Sequence, residues 1–292
     1  MQKVWFITGS SRGLGRSLTV AVLESGDKVA ATARNISQLD DLVAKYGDRL
    51  LPVQLDVTDN VRVHAAVAET VAHFGRIDVL VNNAGFGITG AAEAYTDEQV
   101  RSQLDTNLYA VIEVTRAVLP YMRKQKSGRI LQVSSIGGRM GTAGVSIYQA
   151  AKFGVSGFTE SLAQEVKELG IMVTSVEPGG FRTDWAGDSM TYAPEIEGYS
   201  LVNSRAAFFK GGTFLAVGDP DKAAQVMVNL AVHPNPPVHL VLGSEAIKML
   251  GNMDDLRSKE KEEWLPVSLS TDHEDNAGDF FNSEFTKSYL NR

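Results

Sequence analysis

Short, nearly unbroken apolar runs alternate along the chain with longer stretches in which apolar positions recur every three or four residues. The runs are KVWFIT (3–8), KVAATA (28–33), LLPVQLD (50–56), DVLVNNAG (78–85), GRILQVSS (128–135), IMVTSVEPG (171–179) and PVHLVLG (237–243). They predict strands buried on both faces, as parallel sheets require, rather than the alternation of a half-exposed strand. The stretches at 14–26, 61–75, 97–125, 148–169 and 219–231 carry helical spacing. Gly26 closes the first of them, and Asp219 followed by Pro220 opens the last. Strand and helix alternate almost throughout, which predicts a doubly wound α/β domain: seven parallel strands with helices on both faces. That domain is expected over 1–250. Within it, 178–219 has no clear core period and reads as a long loop. From NMDDLRSKEKEEW (252–264) onward the composition turns charged. The reading there is a C-terminal extension over 251–292, starting with a charged helix and not forming an independent domain.

Composition narrows the function classes. The 292 residues carry a net charge of -7, which argues against a sequence-independent nucleic-acid binder. There is no cysteine, so disulfides and thiolate-bound metals are excluded. The five histidines are scattered and form no set with ligand spacing, so no metal is expected. No apolar stretch is long enough to span a bilayer, and MQKVWFITGS lacks the pattern of a signal peptide. The expectation is a cytoplasmic protein without a membrane partner.

The first strand runs into TGSSRGLG, with Gly9, Gly13 and Gly15 around Ser11, Arg12 and Leu14. Three glycines at a strand-to-helix turn suit a backbone that approaches a pyrophosphate, with the helix N-terminus facing the anion. A tight turn without ligand is the plainer alternative. The spacing, Thr-Gly-x-x-x-Gly-x-Gly, differs from the common Gly-x-Gly-x-x-Gly of Rossmann-type sites. The second strand ends at Ala33 and Arg34, where an NAD site would place a carboxylate on the ribose. With Arg12 as a second guanidinium, the pair suits a 2′-phosphate, so NADP(H) is expected over NAD(H). Arg34 as a helix cap or a solvated side chain is the other reading.

YQAAK (148–152) puts Tyr148 and Lys152 one helical turn apart on one face. Together with the motifs around it, this chain resembles the short-chain dehydrogenase/reductase family, in the hydroxysteroid-dehydrogenase-like, carbonyl-reductase branch. The resemblance covers about residues 3–243: TGSSRGLG, LDVTD with Asp56 and Val57, NNAG with Asn83, Ala84 and Gly85, TNLYA with Asn107, VSS with Ser135, YQAAK, and EPGGFRT with Pro178, Gly179, Phe181 and Thr183. It implies a single Rossmann-type domain that interconverts a ketone or aldehyde and an alcohol by hydride transfer with NADP(H). In that family Asp56 and Val57 would flank the adenine and Thr183 would bond the nicotinamide carboxamide. Asn107 would hold a proton-relay water. Of the two adjacent serines, Ser135 lies thirteen residues before Tyr148, the family's usual separation, so Ser134 is expected to be structural. Tyr148 would act as general acid and base. A free tyrosine has a pKa of about 10, and a nearby ammonium together with the positive nicotinamide of NADP⁺ would lower it. Lys152 is thus expected to tune Tyr148 and to hold the nicotinamide ribose, with Ser135 donating to the same substrate oxygen.

The loop after Pro178 should lie at the carboxyl ends of the strands, where open α/β sheets bind ligands. Its aromatic residues, including Trp185, Tyr192, Tyr199, Phe208, Phe209 and Phe214, predict a lid over a hydrophobic substrate at about 184–218. Met190, Trp185 and Tyr192 would line one side, and Phe86, Ile136, Gly138 and Met140 the other. Packing among the rings, or against a partner subunit, is the alternative for this segment. By resemblance a homodimer or homotetramer is expected, often formed through the helices at 97–125 and 148–169. Two further readings of the whole stay open: an NADP-binding regulator without turnover, and epimerase- or dehydratase-type chemistry on the same fold.

Overall fold

The computed structural model describes residues 2–183, 185, 187, 189–211, 216–273, 283–284 and 286–287. Phe214, Glu274 and Asp275 therefore lie outside the described residues. The chain divides into two compact units, Met1–Leu250 and Gly251–Arg292. In chain order the elements are β1 (Val4–Ile7), α1 (Gly13–Glu24), β2 (Lys28–Ala33), α2 (Asp40–Tyr46), β3 (Leu50–Gln54), α3 (Asn60–Phe74), β4 (Val79–Asn82) and β5 (Gly87–Thr89). Then follow α4 (Asp97–Leu104), a π-helical turn (Asp105–Tyr109), α5 (Ala110–Gln125), β6 (Gly128–Val133), α6 (Ser146–Glu165) and β7 (Ile171–Pro178). The remainder are β8 (Met190–Tyr192), α7 (Ser200–Lys210), α8 (Pro220–Leu230), β9 (His239–Leu242), α9 (Ser244–Glu263) and α10 (Leu265–Leu269).

Seven strands form one parallel sheet in the order β3-β2-β1-β4-β6-β7-β9, the Rossmann-type arrangement expected. All four residues of β1 are buried because the sheet is covered on both sides. Alternation along the strand divides them. Trp5 and Ile7 join one core with Leu18 and Val22 of α1 and Met227 of α8. Phe6 joins the other with Val63 of α3, Val114 of α5 and Leu162 of α6. Asp219, read as a helix start, accepts from the Asp221 and Lys222 N–H groups to cap α8, and Asp59 caps α3 by accepting from the Arg62 N–H. Among the described residues no helix is long and apolar enough to cross a membrane.

Three features depart from the expected elements. The helix expected over 97–125 is interrupted by the π turn, because Gln103 and Asn107 reach sideways to the 86–88 backbone: the Ile88 N–H donates to Gln103 Oε1, 3.1 Å, and the Phe86 N–H to Asn107 Oδ1, 3.2 Å. The loop expected after Pro178 contains structure of its own. In it β8 pairs in parallel with β5, Gly87 opposite Met190, and α7 follows. Strands of three residues are too short for a readable period, and α7 buries only Val202 and Ala206, so neither left a strong pattern in the chain.

Candidate active site

The sheet order reverses between β1 and β4, which opens a crevice at their carboxyl ends. Between β1 and α1 the backbone turns at Gly9 and Gly13, with φ of 69° and 53°, a region that side chains rarely adopt. Gly15 serves closeness instead: a Cβ there would sit 2.2 Å from the Gly9 carbonyl oxygen. The turn is fastened from β4. Asn83 Nδ2 donates to the Thr8 and Gly9 carbonyls, 2.9 and 3.1 Å, and Thr8 Oγ1 accepts from the N–H groups of Asn83 and Ala84. Arg12 occupies the N-cap of α1 without a capping side chain, so the first N–H groups of the helix remain available to an anion.

A cavity of about 900 Å³ runs from this cradle. Gly9, Ser11, Arg12, Gly13 and Leu14 line it, as do Arg34, Asp56 and Val57. Asn83, Ala84, Gly85, Pro178, Gly179, Phe181 and Thr183 line the same cavity. Gly15 lies beneath the turn rather than on the wall, because it is the point where α1 and the loop touch. The donor set fits a dinucleotide: a backbone cradle that a Cβ would fill, an uncapped helix N-terminus and two exposed guanidinium groups. Asp56 faces Arg34. Partial burial raises the Asp56 carboxyl, but hydrogen bonds from the Thr58 N–H and hydroxyl, with the Arg34 cation, hold it below the usual carboxylate range.

Asn107, Ser135, Tyr148 and Lys152 all line the same cavity. Asn107 sits in the π turn, where its Nδ2 donates to the carbonyls of Phe86, 2.9 Å, and Gln103, 3.1 Å. Such a turn re-aims one side chain without ending the helix. Ser135 follows β6, accepts from the Gly137 N–H at 3.0 Å, and is hydrogen-bonded to the Tyr148 side chain. Ser134 points into the protein, its Oγ donating to the Lys152 carbonyl at 3.2 Å with Ser156 Oγ at the same distance. The protein's own groups alone do not lower the Tyr148 pKa. Burial pushes Tyr148 up to about 12, and the hydrogen bond with Ser135 only partly opposes it. Burial also pulls Lys152 down to about 8. Its ammonium donates to the Val133 carbonyl at 2.8 Å and lies 5.8 Å from the Tyr148 ring centre, so desolvation outweighs attraction at both groups.

On the substrate side Phe86, Ile136, Met140 and Trp185 line the cavity, and the Trp185 and Tyr148 rings are 5.4 Å apart. Three residues expected there do not. Strand alternation turns Met190 into the protein, where its sulfur meets Thr89, and puts Ser189 and Thr191 on the wall instead. Tyr192 packs under the Lys210 ammonium. Gly138 lies behind the wall, where a Cβ would meet Ser134 Oγ and the Lys152 carbonyl at 2.5 and 2.7 Å. Polar lining residues that the sequence reading missed include Thr142, Gln149, Arg205 and Glu245. Gln149 adjoins Tyr148 in YQAAK, and its amide pins the wall by bonding Met140 and Thr142. Its proximity to Tyr148 was the one signal available.

Comparison with known proteins follows the geometry. The profile of the short chain dehydrogenases matches residues 3–192. The chain is similar to Oxidoreductase BOA17 of Botryotinia fuckeliana, 45% identical over 93% of this chain and 100% of that one. It is also similar to the 3-oxoacyl-[acyl-carrier-protein] reductase FabG of Vibrio cholerae, 38% identical over 86% of this chain and 97% of that protein. A crystal structure of a short-chain dehydrogenase from Streptomyces avermitilis superposes with a TM-score of 0.88 at 38% identity, covering 94% of this chain and all of that one. With glycine cradle, serine, tyrosine and lysine lining one crevice of a seven-stranded parallel sheet, the chain belongs to the short-chain dehydrogenase/reductase family of oxidoreductases.

Proposed function

We propose that the protein is an NADP(H)-dependent carbonyl reductase that interconverts a ketone or aldehyde and an alcohol. The observation that carries the reading is the sharing of one cavity by Ser135, Tyr148 and Lys152 and by the glycine cradle. When bound, the nicotinamide supplies the hydride. The protein's task is then the proton and the developing charge on the carbonyl oxygen. Tyr148, with its pKa near 12, is protonated at neutral pH and donates from Oη to that oxygen. Ser135 Oγ accepts from the Gly137 N–H, and its hydroxyl, bonded to Tyr148 before substrate arrives, is the second donor placed for the same oxygen. Lys152 Nζ is a cation below about pH 8 and stabilises the phenolate left after the transfer. Asn107 is the candidate for a relay that returns the proton.

Arg12 and Arg34, both exposed at the nucleotide end, support NADP(H) over NAD(H). The apolar wall of Phe86, Met140, Val145 and Trp185 supports a hydrophobic carbonyl substrate. The test is oxidation of NADPH and of NADH by purified protein with an activated aryl ketone. NADPH should be used at least about tenfold faster, and Arg34→Ala should raise the KM for NADPH by a similar factor while leaving that for NADH. Equal rates with both cofactors would remove the phosphate assignment. No turnover with either would remove the reductase.

A further inference from the structure

The substrate side of the cavity contains a cation that the carbonyl chemistry leaves unexplained. Arg205 sits on α7 and lines the cavity with Tyr148 and Trp185. Six other arginines — Arg16, Arg62, Arg76, Arg116, Arg139 and Arg257 — each have a carboxylate within ion-pair distance. Arg205 has no hydrogen bond and no ion pair among the described residues, and its Nε is buried without a partner. Its contacts are apolar. The guanidinium lies 5.4 Å from the Phe209 ring, and its Cδ would touch a Cβ at Gly144, four residues before Tyr148, at 3.5 Å.

An arginine does not escape this cost by losing its proton. A partly buried guanidinium without a counter-charge is unfavourable, and the burial lowers its pKa in the structure. A ligand that brings a carboxylate would relieve that cost and engage a planar fork of donors. The charge favours a carboxylate over a phosphate here. One guanidinium matches one negative charge, whereas the phosphate-binding end of the same cavity uses a backbone cradle and two arginines. The rings of Phe209 and Trp185 flank the approach and suit an apolar stem.

We infer that Arg205 is the anion-binding residue of the substrate pocket, and that the carbonyl compound reduced is an oxo acid whose carboxylate meets Arg205 while its carbonyl meets Tyr148. The inference rests on the carbonyl-reductase reading and narrows its substrate class. It gives α7 a second role: the helix that closes over the substrate also carries the group that selects it.

The test uses levulinate, its next two higher straight-chain homologues, and the methyl ester of each. The acid-to-ester ratio of kcat/KM is measured for the wild type, Arg205→Met and Arg205→Lys. The wild type should favour the acid over the ester at least about tenfold at one chain length, the length that spans Tyr148 and Arg205. Arg205→Met, which preserves the apolar stem, should lower that ratio by about ten- to a hundredfold, and Arg205→Lys by less. A wild-type ratio near one at every length, or a ratio that Arg205→Met leaves unchanged, would overturn the inference and assign Arg205 to packing on Phe209. If neither acids nor esters turn over while the aryl ketone does, the oxo-acid class is overturned; if the aryl ketone is not reduced either, the reductase reading fails. The anion site is then judged by calorimetric titration of the same acids into wild type and Arg205→Met, with and without NADP⁺. Binding that weakens in the variant supports the site, and no binding to the wild type, or equal binding to both, overturns it.

Discussion

At the nucleotide end of the cavity the wall is largely backbone: Gly9 and Gly13 in conformations that side chains avoid, Gly15 against a carbonyl, and an uncapped helix end. At the substrate end it is largely side chain, carried on a two-stranded pairing three residues long and a helix that buries only two residues, Val202 and Ala206. The first kind of wall cannot change much without losing the fold, because its shape is made of main-chain turns shared with β1 and α1. The second can be re-dressed residue by residue. A cofactor that must be the same every time is met by the rigid end, and the choice of carbonyl compound falls to the adaptable one.

Substitutions can break or sharpen that contrast. The largest effect is expected from Tyr148→Phe, which removes the proton donor and leaves the ring against Trp185. Turnover should fall by about 10²- to 10⁴-fold for every ketone, while NADPH binding followed by fluorescence persists. Retained turnover would take Tyr148 out of the chemistry. Gly15→Ala comes next. Its methyl would press on the Gly9 carbonyl, and destabilisation of about 1–3 kcal/mol, read as a lower Tm, should accompany weaker NADPH binding. An unchanged Tm with unchanged binding would mean the nucleotide end is softer than its geometry implies.

A smaller effect is expected from pH. The Lys152 pKa is depressed to about 8, so the ammonium is present below that value and lost above it. Tyr148 remains protonated throughout, up to about 12. The reduction rate should therefore hold near neutrality and fall by up to about tenfold from pH 7 to 9, because the phenolate left by proton transfer loses its cation. A rate that rises across this interval would sink the role given to Lys152. Thr191→Val should have the smallest effect. It removes one polar group from the lid wall and should re-rank a panel of ketones by about threefold or less without moving the KM for NADPH. A changed cofactor KM would show that the two ends are coupled.

How much of this was legible in the chain follows the same division. The seven strands of the sheet were readable because each leaves a nearly unbroken apolar run, continuous burial on both faces holding for the central β1 and β4. The glycine turn was readable because conformation and close approach allow only one residue type. Tyr148 and Lys152 stood out by their spacing, Asn107 and Ser135 came from the family resemblance, and Ser134 could be set apart from Ser135 by the family's usual separation. The lid resisted because β8 spans three residues, where period cannot be told from chance, and so the side facing the cavity was assigned to Met190 rather than to Thr191. Arg205 was invisible for another reason. An arginine in a helix is ordinary, and only three-dimensional packing reveals that its buried Nε has no partner among the described residues. For Tyr148 the ammonium was counted but the desolvation of both groups, which opposes it before any cofactor charge acts, was not.

The π turn at Asp105–Tyr109 can be restated as a phase shift. Each residue of a helix rotates its neighbour by about 100°, so one extra residue offsets the helix before it from the helix after it by roughly that angle. The apolar stripe of α5, with Val111, Val114 and Val118, stays on the sheet, while Gln103 and Asn107 are swung onto the 86–88 backbone. One continuous rod thereby keeps two different alignments. A deletion of a single residue inside the turn would bring the two halves into phase, and the rod could then satisfy the core or the cavity wall, but not both.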